Sequence, residues 1–337
     1  MGQPRNVLFI QTAFIGDAIL ASSLWESWHA EHPRDRLHVC VRQGNEGLFV
    51  NHPFLEGVYV WNKRGGLFNR SVKLIQLGKL LKSRHFDVVI TPHRHASSGW
   101  LAWSSGARYR VGFDVHPLRR LFTHTVPHSF EQGLHEIERN HTLLAQWVAP
   151  SGLVRPRLYP NLEARSANQT AFALMAPASQ WATKQWPEEK WVEVCDSLHA
   201  IPIVLVGGAG DAQQLNRIAL ATHHPSVRVE TGLSLLESAG LMAQAAWVLT
   251  NDSGPLHLAS AVNAPTVAVF CSTSPSFGFG PLAAASEVVE AGVSLDCKPC
   301  GLHGHAACPL THFACGRSLD AEQVLSAIQR LHKSPAV

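Results

Sequence analysis

The chain has 337 residues, 46% of them hydrophobic and 16% charged, which is enough apolar material for two ordinary domains and excludes a disordered chain. No run of about 18 uncharged apolar residues occurs, so no membrane-spanning helix is expected, and a formal net charge of only +3 does not call for nucleic acid as a partner. That charge is unevenly spread: residues 1–150 carry 17 Lys and Arg against 11 Asp and Glu, whereas residues 151–337 carry 11 against 14. A basic first half and a mildly acidic second half suggest different ligands, the anionic one on the first.

In chain order, residues 6–12 (NVLFIQT) read as a buried strand rather than a signal peptide, because the run is β-branched and stops at Gly16-Asp17 without a small-residue cleavage pattern. AILASSLWESWHAEH reads as a helix, and residues 37–42 and 57–62 as strands. Residues 70–83 have helical apolar spacing, 86–92 and 108–113 read as strands, SSGWLAWSS as a short helix, and 134–148 as a helix. A segment rich in Pro, Ser and Asn over 150–168 reads as a linker. The alternation then restarts: strands at 170–177, 202–208, 227–232, 246–252 and 266–272 are separated by helices, one of which opens with the capping box Ser234 and Glu237. A last helix covers 320–333. Strand–helix alternation predicts parallel sheets, hence an α/β chain of two doubly wound, Rossmann-like domains facing a cleft, 1–155 and 156–337.

Four stretches carry chemistry. Gly16-Asp17 follows the first strand; Asp17 is either a helix N-cap or a general base able to take a proton from a hydroxyl. In 176–191, Ser179, Gln180 and Thr183 offer hydrogen bonds, and Lys184 offers a cation to a departing diphosphate. Gly207, Gly208 and Gly210 permit close backbone approach, and Asp211 suits ribose hydroxyls or a cap. The turn Asp252-Ser253-Gly254-Pro255 leads from a strand into a helix containing Leu256 and His257, with Pro255 expected at the first helical position and the open N–H groups of that turn suited to an anion. Cys297, Cys300, Cys308 and Cys315, with three histidines among them, suggest either a zinc site or a packed loop of free thiols. Seven cysteines without an export signal point to a reducing cytoplasm.

The motifs FIGD at 14–17, TKQWP at 183–187, GGAGD at 207–211 and NDSGPLHLA at 251–259 occur in the order that resembles the lipopolysaccharide heptosyltransferases of glycosyltransferase family nine. The cysteine-rich CKPC…CPLTHFAC segment and STSPSFGFGPL resemble the heptosyltransferase II branch. The resemblance implies a glycosyltransferase-B fold with the donor, ADP-heptose, on the second domain and a lipid-linked, Kdo-containing acceptor of the lipopolysaccharide inner core on the first. It further implies an inverting transfer that needs no metal or other cofactor. On this reading Asp17 is the base and Lys184 meets the diphosphate, while Ser179, Gln180, Thr183, Asp211, Asp252, Ser253, Gly254, Pro255, Leu256 and His257 contact the donor. Gly16, Lys63, Arg64, Arg94, Arg119 and Arg120 are candidates for the acceptor. A monomer seated peripherally on the inner face of the cytoplasmic membrane follows from a lipid acceptor. Competing readings are another sugar nucleotide or core position, a nucleotide-sugar epimerase or hydrolase on the same fold, and a non-catalytic binding protein.

Overall fold

The structure, a computed structural model, describes residues 3–129, 133–162 and 170–333, with side chains to Leu331 at its C-terminal end. The chain divides into two compact units, Met1–Tyr159 and Pro160–Val337. The expected boundary at 155/156 thus meets an observed one at 159/160, and part of the expected linker, 163–169, lies outside the described residues.

Unit 1 holds β1 (Asn6–Gln11), β2 (Arg36–Arg42), β3 (Leu55–Trp61), β4 (Val88–Thr91), β5 (Tyr109–Phe113) and β6 (His124–Val126). Unit 2 holds β7 (Ala173–Ala176), β8 (Ile203–Gly207), β9 (Val227–Thr231), β10 (Trp247–Asn251), β11 (Thr266–Phe270) and β12 (Ser286–Glu290). The first sheet runs β3-β2-β1-β4-β5-β6 and the second β12-β11-β10-β7-β8-β9, and the strand pairs run parallel. Each is the doubly wound order, so each has a point where the order reverses: between β1 and β4, and between β7 and β10. At such a point the loops leave the sheet in opposite directions and open a crevice at the carboxyl ends of the strands. That topology, more than any single motif, fixes where ligands go.

The central strands explain the long apolar runs. All residues of β1, β4, β7, β10 and β11 are buried, as strands covered by helices on both faces must be. In unit 2 the core includes Trp186, Trp191 and Trp247 around the apolar face of helix Ala321–Lys333. The indole of Trp186 donates to Leu319 O at 3.0 Å and that of Trp191 to Trp186 O at 3.2 Å, so both polar tips are satisfied inside.

Four elements differ from the sequence reading. The helix expected at 134–148 is a helix only over Glu136–His141, followed by a 3-10 turn. The hydroxyl of Thr142 donates to Arg139 O at 2.7 Å and competes for the helical carbonyls. The helix after β1 is two pieces, Ile15–Leu20 and Ser22–Glu31. Strands β6 and β12 were not expected, because both are short, half-exposed edge strands without an apolar run.

Candidate functional site

In unit 1 the loop after β1 carries Gly16 and Asp17 into helix Ile15–Leu20. The N-cap is Phe14, with no side-chain cap bond, so Asp17 sits at the third helical position rather than capping the helix. Its carboxylate faces the backbone N–H groups of Phe14 and Asp17, which favour ionisation, as does the Arg94 guanidinium from the loop after β4. Desolvation outweighs them and raises the Asp17 pKa above its ordinary 3.8. A buried carboxylate that binds its proton more tightly than usual is a stronger base once ionised.

The surroundings are largely basic. Lys63, following β3, donates to Thr12 O at 2.7 Å, and burial together with Arg42 and Arg70 pulls its pKa down. Arg94 lies 3.5 Å from Nδ1 of His128. Arg64 is exposed on the same connection as Lys63. Arg119 and Arg120, by contrast, are exposed on the 3-10 turn leading into β6, where Leu121 O accepts from Arg110 near the start of β5. They belong to the segment that feeds the amino ends of the strands, away from the Asp17 loop. Proximity in sequence to other basic residues does not bring them to the site.

Three side chains of this site were not anticipated. Glu136 and Arg139 form a buried ion pair, with Arg139 Nε 3.0 Å from Glu136 Oε2 and Arg139 also donating to Leu134 O at 2.6 Å. Burial raises the Glu136 pKa, and the Asp17 charge raises it further, so the two carboxylates feel each other. His93, after β4, faces Thr12 Oγ1 at 3.0 Å, and burial with the charge of Lys63 holds its pKa down to about 3. It is therefore a neutral imidazole at physiological pH. The one usable sequence signal was position, since His93 and Arg94 follow the strand at which the order reverses.

In unit 2 the loops after β7 and β10 are tied by Asn251. Its Nδ2 donates to Pro177 O at 2.6 Å and its Oδ1 accepts from Trp186 N at 3.1 Å, so one buried amide holds both walls of the crevice. Asn251→Ala orphans both backbone groups, with an expected loss of about 2–4 kcal/mol of unit 2 stability in a denaturant titration. An unchanged midpoint would show that the loops hold without it.

Between those walls Lys184 Nζ lies 2.6 Å from Asp252 Oδ2, which also accepts from Thr273 Oγ1 at 2.6 Å. Asp252 thus braces the lysine at the carboxyl edge of the sheet. Ser179 and Gln180 sit on the same loop, Gln180 exposed, and Ser179 O accepts from Gln185 Nε2 at 2.6 Å. Thr183 is buried with its hydroxyl already used: it accepts from Ser272 Oγ at 3.1 Å and from His305 N at 2.8 Å. Its side chain fastens the loop to the cysteine-rich segment instead of facing a ligand. Asp211 Oδ2 accepts from Gly208 N at 2.8 Å, which is the cap alternative for that residue.

Ser253 is the N-cap of helix Gly254–Ala261, and Pro255 is its second residue, not its first. The open donors are fewer than expected there, because Pro255 has no N–H and Leu256 N turns back to Ser253 O at 3.1 Å. Leu256 is wholly buried against Ala268 and Phe270, so it seats the helix rather than touching a ligand. His257 is buried behind it, with its ring 6.5 Å from that of Phe279. The charge at this edge therefore comes mainly from Lys184.

Cys297, Cys300 and Cys308 are half-buried and Cys315 is buried, all four as free thiols. Among the described residues no group of three or more His, Cys, Asp or Glu side chains is placed to hold a metal ion. Among the described residues no helix is long and apolar enough to cross a membrane.

Residues 74–308 match the profile of glycosyltransferase family 9 (heptosyltransferase). The chain is 25% identical over 286 residues to lipopolysaccharide heptosyltransferase 3 of Escherichia coli, covering 78% of this chain and 83% of that protein. It is also 25% identical over 317 residues to lipopolysaccharide heptosyltransferase 1 of Pseudomonas aeruginosa, covering 88% and 86%. Its fold superposes on the solved structure of E. coli ADP-heptose heptosyltransferase II with a TM-score of 0.79 at 19% identity, over 97% of this chain and 98% of that one. With more than half of its length matching the profile, and with both sheets laid out as in those structures, the chain belongs to glycosyltransferase family 9, the heptosyltransferases.

Proposed function

We propose that this glycosyltransferase moves heptose from ADP-heptose to a lipid-linked inner-core acceptor of lipopolysaccharide, with inversion at the anomeric carbon. The observation that carries the reading is Lys184, a cation held 2.6 Å from Asp252 at the order-reversal point of the second sheet. A fixed ammonium there suits the charge that develops on a departing nucleoside diphosphate. Unit 2 holds the donor, with Ser179, Gln180 and Ser253 within the same set of loops, and unit 1 supplies the base. Asp17 takes the proton of an acceptor hydroxyl, and the oxygen attacks the anomeric carbon as its bond to ADP breaks from the opposite face. The basic surroundings of Asp17, with Lys63 and Arg94, suit an acceptor bearing carboxylates and phosphates. Lys184 supplies the charge a metal ion would otherwise supply, so chelation leaves the rate unchanged.

The test is ADP release from ADP-heptose with a panel of truncated lipopolysaccharide cores, with and without EDTA. Release is expected only with an acceptor present. Rapid release without acceptor would favour a hydrolase or epimerase, and no release with any pair would sink the donor assignment.

A further inference from the structure

Helix Leu67–Lys82 buries a narrow stripe of Leu77, Gly78 and Leu81 and leaves most of its other apolar side chains in solvent. Leu67 and Phe68 are each 81% exposed, and Val72 and Ile75 are exposed as well. Phe68, Val72 and Ile75 are spaced i, i+4, i+7, so they stand in one row on the face turned from the core. Isolated exposed apolar residues need no explanation, but a row headed by a phenylalanine, with an exposed leucine one position before it, does.

The charge around that row is one-sided. Residues 57–86 contain seven Lys and Arg and no Asp or Glu. The start of the helix is also fixed to the edge of the sheet that carries Asp17. It follows the β3 connection, whose Lys63 donates to Thr12 O at 2.7 Å, and Lys73 on its second turn donates to Arg64 O at 3.0 Å. Leu67 and Phe68 therefore project from the rim at the carboxyl ends of the strands, beside Arg64 and Arg70.

We infer that this face docks the protein on an anionic lipid surface, with Leu67 and Phe68 entering the headgroup layer and the surrounding Lys and Arg pairing with lipid charge. Neither signal alone gives lasting attachment, whereas apolar insertion with a basic patch does. A second copy of the chain fits poorly, since a self-complementary contact would set the basic residues of this helix and its entry, Arg64 and Arg70 among them, against the same residues of the other copy, with no acid within 57–86 to answer them. The inference deepens the proposed function, because an acceptor carried on a lipid is presented at such a surface.

The full chain is sedimented with phosphatidylcholine vesicles with and without phosphatidylglycerol. The wild type is expected to bind the anionic vesicles only, less as salt rises. Leu67→Ser with Phe68→Ser is expected to lower partitioning about tenfold or more. Leu220→Ser, at a site 86% exposed in unit 2, is expected to bind as the wild type does. A wild type that stays in the supernatant, a double variant that binds as tightly, or a wild-type dimer that the double variant dissolves would each overturn the docking face. Both proteins are then assayed on a deacylated, water-soluble acceptor, where equal turnover is expected. Loss confined to the double variant would assign the face to the active site instead of lipid. Failure of both proteins with that acceptor would count against the functional reading, while the vesicle result stands on its own.

Discussion

On the proposed function, Asp17→Ala is expected to lower kcat for heptose transfer by about 10²–10⁴-fold, the range that a positioned general base contributes, and to leave ADP-heptose affinity as in the wild type. Asp17→Asn, which keeps the shape and the contact with Phe14, should lose as much. In the wild type, activity should fall as pH drops through a pKa above the ordinary 3.8, since burial raises the folded value and only the ionised form accepts a proton. The same shift makes a stability prediction of opposite sense. Between 3.8 and the raised folded value the native state binds more protons than the unfolded one, so stability falls as pH rises through that window, and the cost of the buried charge is fully present above it. Asp17→Asn removes that cost. It should therefore raise the Tm at pH values above that window, by about 2–4 °C per kcal/mol gained, with the gain vanishing below pH 3.8. A variant that is inactive but more stable marks a residue kept for chemistry; a variant that is inactive and less stable would mark one kept for the turn.

Much of this architecture was legible because the signals are local. Apolar runs such as Val7–Ile10 and Val267–Phe270, short, β-branched and bounded by turn residues, read as central strands, and the turns that follow them mark the strand ends where ligands collect. The edge strands β6 and β12 were not legible, since a strand with one partner and a wet face needs no apolar run. The site residues that escaped notice owe their roles to contacts across long stretches of chain. Asn251 acts through Pro177 and Trp186, Thr273 through Asp252, and Glu136 through Asp17, and nothing in the local sequence around any of them announces the partner. Thr183 and Leu256 show the reverse error: they lie inside the motifs, yet their side chains hold the motifs in place.

Lys184→Ala is expected to reduce kcat/KM by about 10²–10³-fold, as removal of a preorganised charge at a leaving group does. Taken alone, that loss would be ambiguous. Both side chains of the Lys184–Asp252 pair are largely withdrawn from water, at 14% and 8% exposure, so deleting the lysine leaves a buried carboxylate answered, among the described residues, by the Thr273 hydroxyl. Breaking such a pair costs about 3–5 kcal/mol, enough to lower activity through unfolding. Adding Asp252→Asn separates the two causes. The amide carries no charge to be stranded and still accepts the Thr273 hydroxyl, so the double variant should regain most of the lost stability by denaturant titration. Activity should not return with it, because the cation that meets the diphosphate is still missing. Recovery of turnover in step with stability would mean that Lys184 serves only to neutralise Asp252. Recovery of the fold without turnover would mean that the pair exists to hold a charge at the strand ends until the nucleotide leaves.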